Sequence, residues 1–406
     1  MSFKEIIDNT KILHNLEKLG YETPTPIQVQ AIPQILKGGD LRASAQTGTG
    51  KTAAFLLPAL LHLANTKGRR GPRVIILVPT RELAIQLAAE TAKLGRSLDL
   101  VAITLYGGVP YSLQHRQLSK PYDILIATPG RLIDHIEQKR VHLNNIEMFI
   151  LDEADRMLDM GFIGPVETIA SKMPESRQTL MFSATFGKNV RKLSNTLLRD
   201  PFEIVSEQGE TRSELIEQNF YRTDSLEDKH RCLEQLLEEN SIDQAIIFSA
   251  TKFQTQKIAD KLRDRGLLAG ALHGDMNQRQ RTRTIDQFRA NKIRILVATD
   301  VAARGIDVLS ISHVINFDLP NNLDDYIHRI GRTGRAGNKG IAFSFFSKKD
   351  YQMRKEIERF SGLKVASDGE SEQEQASPSL RHRPKRPPNR FRKPAFRRAK
   401  RPPFTR

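Results

Sequence analysis

At 406 residues the chain is long for one domain and long enough to bury two full cores. A formal net charge of +16 points toward nucleic acid or another anionic surface. A single cysteine, Cys232, excludes a disulfide framework, and no Cys/His spacing fits a zinc site. The opening MSFKEIIDNT lacks the apolar core of a secretion signal. The longest apolar stretch, Ala53 to Ala64, is too short to span a bilayer and is broken by Pro58. The expectation is a soluble, cytoplasmic protein of a reducing compartment with no membrane partner.

In chain order, the first chemical signal is ASAQTGTGKTAAF, a glycine-rich loop that follows a short strand and opens a helix. Gly48 and Gly50 let backbone N–H groups turn inward, and the helix N-terminus adds positive potential. Lys51 is positioned for the β- and γ-phosphates of a nucleotide, and the Thr52 hydroxyl for Mg²⁺. Alanine at position 45 stands where the general phosphate-loop pattern has its first glycine.

Apolar, β-branched runs then recur with helical patterns between them: VIILVPT from Val74, DILIATPG from Asp123, MFILDEAD from Met148 and TLMFSAT from Thr179. Continuous apolar strands alternating with helices predict a parallel sheet covered on both faces. Almost every strand ends in a short polar cluster, and in open parallel sheets ligands bind beyond the carboxyl ends of the strands. The run at Met148 ends in Asp152, Glu153 and Asp155, three carboxylates within four positions that need a positive partner. With a phosphate loop about a hundred residues upstream, Asp152 would hold Mg²⁺ and Glu153 would orient and deprotonate the attacking water. Asp155 reads as a tie to the cluster Ser183-Ala184-Thr185. The reaction implied is hydrolysis of a nucleoside triphosphate.

From Ser206 to Glu214 the chain holds no apolar residue, and this stretch is read as a linker, 206–214, closing a first domain at 1–205. The strand rhythm resumes in AIIFSAT from Ala245, IRILVATD from Ile293, HVINFDLP from His313 and GIAFSFF from Gly340, which sets a second α/β domain at 215–365. That domain has no phosphate loop, but YIHRIGRTGRAG interleaves Arg329, Arg332 and Arg335 with glycines. Such a run suits arginine fingers offered across a cleft, so that catalysis needs both domains closed. The segment 366–406 can build no core and is expected to be a disordered basic tail. Arg381 to Arg406 carries +12 of the net +16, with no Asp or Glu, and Phe391, Phe396 and Phe404 are spaced among its arginines for stacking on unpaired bases.

Taken together, these motifs closely resemble those of DEAD-box ATP-dependent RNA helicases, over about residues 3 to 363 and in that family's order. The resemblance implies two tandem RecA-like domains, each a parallel sheet with helices on both faces, and an RNA-stimulated ATPase that unwinds short RNA duplexes locally. It also implies an adenine-reading element in GYETPTPIQ, with Tyr21 near the base, Gln28 on the adenine edge and Phe3 at the upstream aromatic position, which favours ATP over GTP. Gln46, Thr47, Gly48, Thr49, Gly50, Lys51 and Thr52 match the family's own phosphate loop, which accommodates Ala45. By the same resemblance Pro79, Thr80, Arg81, Gly108, Thr128, Pro129, Gly130, Arg131, Thr299 and Arg304 lie near RNA. Asp155, Ser183, Thr185 and His328 couple hydrolysis to unwinding, Gly305 and Asp307 lie near the ribose, and Arg332 and Arg335 meet the γ-phosphate. The wording and the arginine-proline tail are most similar to the bacterial RhlE-like subgroup. The expected ligands are ATP, Mg²⁺ and RNA with little sequence preference, because the grip is on phosphates and 2′-hydroxyls. A monomer is expected, the pathway is left open between ribosome assembly, RNA decay and cold adaptation, and ribosome-assembly or RNA-decay proteins are the candidate partners.

Overall fold

The computed structural model of the chain describes residues 2–45, 48–66, 71–205, 215–239, 242–303, 311–334 and 339–362. The expected linker and basic tail lie outside them, as do Gln46, Thr47, Arg304, Gly305, Asp307 and Arg335. The chain divides into Met1–Leu363 and Lys364–Arg406, and every described residue belongs to the first.

Thirteen strands among the described residues form two sheets, and every pairing is parallel. The first contains β1 (Leu41–Ser44), β2 (Val74–Leu77), β3 (Ala102–Leu105), β4 (Ile124–Ala127), β5 (Met148–Leu151), β6 (Gln178–Ser183) and β7 (Phe202–Val205) in the order β3-β4-β2-β5-β6-β1-β7. The second contains β8 (Ile216–Arg222), β9 (Ala245–Phe248), β10 (Ala269–Leu272), β11 (Ile295–Ala298), β12 (His313–Asn316) and β13 (Gly340–Phe346) in the order β10-β11-β9-β12-β13-β8. These are the tandem RecA-like sheets that the motif series implies.

The continuous apolar runs have a direct physical reason. Side chains of a strand alternate between faces, so a sheet covered on both faces needs apolar residues at both parities. In β2, Val74 and Ile76 enter one core and Ile75 and Leu77 the other, all fully buried. β9 repeats the arrangement, with Ile246 and Phe248 on one face and Ile247 on the other. The helix Lys51–Asn65 lies over the first core with Phe55, Leu56, Leu57 and Leu60 fully buried. Among the described residues, no helix is long and apolar enough to cross a membrane.

Five strands lie outside the apolar-run pattern: β1, expected only as the short strand before the glycine-rich loop, and four that lie at sheet edges. β3 and β7 flank the first sheet, and β7 is mostly exposed. In the second, β8 reads IEQNFYR, half polar, and β10 reads AGAL, poor in strand-forming side chains. Gly270 in β10 is required by packing, since a Cβ there would come within 2.6 Å of Ile293 Cδ1.

Candidate active site

β1 leads through Ala45 into the glycine-rich loop, and the helix Lys51–Asn65 starts at Gly50, whose φ of 89° is left-handed. A Cβ on Gly50 would lie 2.5 Å from Gln28 Nε2 and 2.9 Å from Thr25 Oγ1, so glycine is needed for backbone angle and for space alike. Gln28 is 1% exposed; its Nε2 donates to Gly50 O at 3.0 Å and its Oε1 accepts from Thr25 N at 2.9 Å. The base-reading element and the phosphate loop are therefore tied through one amide. Tyr21 is half-buried, and Phe3, 4% exposed, packs edge-on against it at 6.3 Å between ring centroids. Phe3 is thus part of the core that supports Tyr21, with no face left open for a base.

Lys51, 6% exposed, reaches from the first turn of its helix to Asp152 Oδ1 at 2.9 Å and to Glu153 Oε1 at 4.0 Å. Burial opposes a charge on Lys51, but Asp152 and Glu153 overcome that and raise its affinity for the proton. Asp152 is fully buried, and burial pushes its carboxyl upward against the pull of Lys51. Among the described residues Asp152 Oδ2 has no hydrogen-bond partner, whereas Glu153 Oε2, also without a hydrogen bond, lies 3.5 Å from Arg156 Nη1. A buried carboxylate oxygen is costly when unmatched, and Asp152 Oδ2 at the phosphate loop fits a cation that arrives with nucleotide. Thr52, beside Lys51 and half-buried, is the matching hydroxyl, so this donor set fits Mg²⁺.

Glu153 sits at φ 55°, ψ 51°, left-handed and unusual for a side-chain-bearing residue, at a cost of roughly 1–3 kcal/mol. The strain places Glu153 at the turn from β5 into the helix Ala154–Asp159. Although burial alone would raise its carboxyl, Arg156, Lys51, Arg332 and His328 bring it down to about 2. Two of those four basic groups, Arg332 and His328, come from the second sheet's half of the molecule, so the electrostatic environment of the candidate base draws on both halves.

Asp155 Oδ2 accepts from the backbone N–H groups of Ala184 and Thr185, each at 3.2 Å, and Ser183 Oγ accepts from Asp155 N at 3.2 Å and donates to Thr185 O at 2.7 Å. Across the junction His328 Nε2 lies 3.7 Å from the same Oδ2, and Asp324 hydrogen-bonds Thr185. Arg332, 4% exposed, is close enough to draw Glu153 downward in pKa. Arg329 is a correction to the expected trio of fingers. It is 3% exposed and turned inward, with Nε and Nη2 on the two oxygens of Asp300 at 2.6 and 2.7 Å and Nη1 on Asp318 O at 2.5 Å. All three of its nitrogens are engaged inside its own half, where it braces the end of β11 against the end of β12.

The residues expected near RNA gather at the carboxyl ends of β2, β3 and β4. Arg81 packs on Gly107 and Gly108, where a Cβ on Gly108 would overlap its guanidinium, and reaches Gln278 Oε1 at 3.2 Å. Pro79 is buried, and Thr80 Oγ1 caps the helix Arg81–Leu94 by accepting from Leu83 N at 3.3 Å. Thr128 precedes the helix Pro129–Glu137, with Gly130 exposed. Arg131 is engaged locally: Nη1 donates to Val109 O and Gln114 Oε1, both at 2.8 Å, and its guanidinium stacks on Tyr111 at 4.2 Å. It holds the Gly107–Gly108 loop in place, a role the motif alone did not indicate. Thr299, at the end of β11, is half-exposed and accepts from the N–H groups of Ala302 and Ala303.

Sequence reading gave no role to Glu82, Gln278, Arg281 or Asp324. Glu82 follows Arg81 in the run PTREL and Arg281 closes the run HGDMNQRQR, but nothing in either run indicates that they meet. In the structure Arg281 pairs with Glu82 and Gln278 with Arg81, which joins the helices Gln278–Arg289 and Arg81–Leu94.

Two family descriptions match the chain: DEAD/DEAH box helicase over residues 25–193, and helicase conserved C-terminal domain over residues 228–337. The ATP-dependent RNA helicase SrmB of Haemophilus influenzae is 42% identical over 362 residues, which cover 88% of this chain and 82% of that one. The solved structure of S. cerevisiae Dbp5 bound to RNA and ADP BeF3 aligns with a TM-score of 0.80 at 32% identity, covering 89% of this chain and 93% of that one. A variant of that yeast protein bound to a Gle1 variant and IP6 aligns at 0.71 and 32% identity, over 89% of this chain and 92% of that one, whereas the same variant with RNA and ADP BeF3 gives 0.80.

Proposed function

This chain belongs to the DEAD-box family of ATP-dependent RNA helicases, and from that premise we propose that its ATP site is assembled only when the two halves close on RNA. The protein binds ATP and RNA and hydrolyses ATP. The observation that carries the proposal is the junction itself, where Arg281 pairs with Glu82, Arg81 reaches Gln278 and His328 Nε2 lies 3.7 Å from Asp155 Oδ2, with Arg332 near enough to draw the Glu153 carboxyl down.

In this reading Tyr21 and Gln28 receive the adenine, Phe3 supports Tyr21, and Gln28 relays base occupancy to Gly50. The backbone of residues 46–50 and Lys51 hold the phosphates. Thr52 and Asp152 hold Mg²⁺, which when bound neutralises charge on the phosphate oxygens. Lys51 leaves Asp152 Oδ1 for the phosphates, since one ammonium serves whichever anion is present. Glu153, already ionised, orients a water and takes its proton. Arg332 and Arg335 complete the positive frame from the second half, and Gly305 and Asp307 meet the ribose.

Closure and RNA grip are linked through Asp155, Ser183, Thr185 and His328, with Asp324 added by the geometry. Pro79, Thr80, Arg81, Gly108, Thr128, Pro129, Gly130, Thr299 and Arg304 line the RNA path, and Arg131 positions the Gly108 loop. A ligand that binds only the closed form shifts the population toward it, so ATP and RNA raise one another's affinity. We divide the chain into 1–205, a linker at 206–214, 215–365 and a basic tail at 366–406 that adds unspecific RNA affinity. We further assign a cytoplasmic monomer of the RhlE-like subgroup, acting with proteins of ribosome assembly or RNA decay.

Unwinding in this reading is local. Strand separation measured on duplexes of increasing length, with the overhang on either end, should fall steeply with length and show no preference for overhang polarity. A rate independent of length and set by polarity would replace local opening with translocation.

A further inference from the structure

Between the edge strand β3 and the helix Tyr111–Leu118 lies a cavity of about 350 Å³, lined by Tyr106, Val109, Leu113, Arg116, Gln117 and Lys120 among others. That volume falls at the lower end of the range for small-molecule sites, about 300–1,000 Å³. Tyr106, Leu113, Arg116, Gln117 and Lys120 have no role in the ATP site or in the RNA path proposed above, and Val109 enters that path only by accepting from Arg131.

Four observations say what the cavity takes. Arg116 and Lys120 are exposed at its rim, and neither has an ion-pair partner among the described residues, whereas the exposed Lys93 nearby is paired with Glu90. From Tyr106 to Tyr122 the sequence has no Asp or Glu, so no carboxylate of this segment competes for those two cations. The wall is amphipathic: Leu113, 55% exposed, and the half-buried Tyr106 offer apolar surface beside the cations, a combination that suits a nucleobase with its phosphate. Finally, Tyr106 and Val109 flank Gly107 and Gly108, the glycines packed against Arg81, so the cavity continues the candidate RNA path outward along the sheet edge.

We propose that this cavity is an outer RNA subsite, in which one nucleotide beyond the central grip places its base against Leu113 and Tyr106 and its backbone phosphates on Arg116 and Lys120. It rests on the reading of Gly108 and Arg81 as RNA-facing. The subsite lengthens the strand that the protein holds without entering the ATP machinery. It also gives the grip an apolar component that salt does not screen.

The test uses the full chain, an ATP analogue that is not hydrolysed, and labelled single strands lengthened one nucleotide at a time from the shortest that binds. In the parent, affinity should step upward when the added nucleotide reaches the cavity. The double variant Arg116→Ala/Lys120→Ala should lose that step, bind the shortest strand as before, and lower the salt slope for the longer strand by about 1.4, at about 0.7 per phosphate contact on single strands. Leu113→Ser should shrink the step without changing the salt slope. RNA-stimulated ATP turnover at saturating RNA should stay at the parent rate in both variants. Equal affinities at every length, or a loss shared equally by the shortest strand, would overturn the subsite, and the first of these would leave the cavity to a protein partner. Failure of the parent to bind any strand would instead defeat the RNA-path reading on which the proposal rests.

Discussion

The guanidinium of Arg281 meets Glu82 Oε1 through two nitrogens, Nε at 2.9 Å and Nη2 at 2.7 Å, with both side chains only 11% exposed. The pair joins the two halves of the molecule beside the candidate RNA path. Removing one partner leaves the other charge desolvated in the closed form alone, because separated halves hydrate both. The cost of breaking a buried pair is about 3–5 kcal/mol. Arg281→Ala should therefore weaken RNA binding in the presence of a non-hydrolysable ATP analogue by about 10²-fold or more, with ATP affinity without RNA unchanged. The double variant with Glu82→Ala should recover part of the loss, since no orphan charge is left. Losses that simply add would separate the two residues energetically.

Glu153→Gln preserves the shape at the turn after β5 but removes the base, so ATP and RNA should bind while turnover stalls and the closed complex persists. Because the Glu153 carboxyl is held at about 2, below its ordinary value, it remains ionised as pH falls until that low value is approached. The ratio of variant to parent rate should therefore be the same at about pH 6 and about pH 8. A ratio that closes toward one on the acid side would mean that Glu153 titrates there and that the cations of both halves do not surround it.

Gln28 holds Thr25 N with Oε1 and Gly50 O with Nε2, and each group retains one further hydrogen-bonding position. It can thus read the adenine edge while keeping its grip on the phosphate loop. Gln28→Ala should raise the KM for ATP much more than for GTP, with a smaller loss common to both from the released loop. Equal losses would make the amide a packing element only.

Arg329 and Arg335 belong to one repeated run but should behave oppositely. Arg329→Ala strips Asp300 of a two-point partner inside the second half, so the variant should unfold at lower temperature, by an amount fitting about 3–5 kcal/mol. Arg335→Ala should keep the parent melting temperature and ATP affinity and lose about 10³-fold or more in turnover, the scale of an arginine finger. Thermal melts and turnover on both variants separate the roles, and a destabilised Arg335→Ala would move that residue into the framework.

Much of this was legible because the chemistry is local. The loop at Gly48 to Thr52, the carboxylates after Leu151 and the apolar runs of β2, β4, β5, β9 and β11 each state their function within ten residues. What escaped depends on partners far apart in the chain. Arg281 and Glu82 are 199 residues apart, and neither segment names the other. The inward turn of Arg329 follows from Asp300 and Asn316, which no run of arginines and glycines reveals. Arg131 is expected on RNA because its motif faces that way, and the sequence does not show that its Nη1 is also held by Val109 O and Gln114 Oε1. The overlooked strands are edges: β3, β7 and β8 are only partly buried, and β10, buried throughout, reads AGAL, so none of them carries an apolar, β-branched run.

The account as a whole is tested most directly by ATP turnover measured on the full chain without nucleic acid, with single-stranded RNA, and with DNA of the same sequence. It predicts slow turnover alone, strong stimulation by RNA, little by DNA, and no turnover under any condition for Lys51→Ala, whose ammonium serves the phosphates. Equal stimulation by RNA and DNA, or undiminished turnover without either, would contradict an ATP site assembled by closure on RNA.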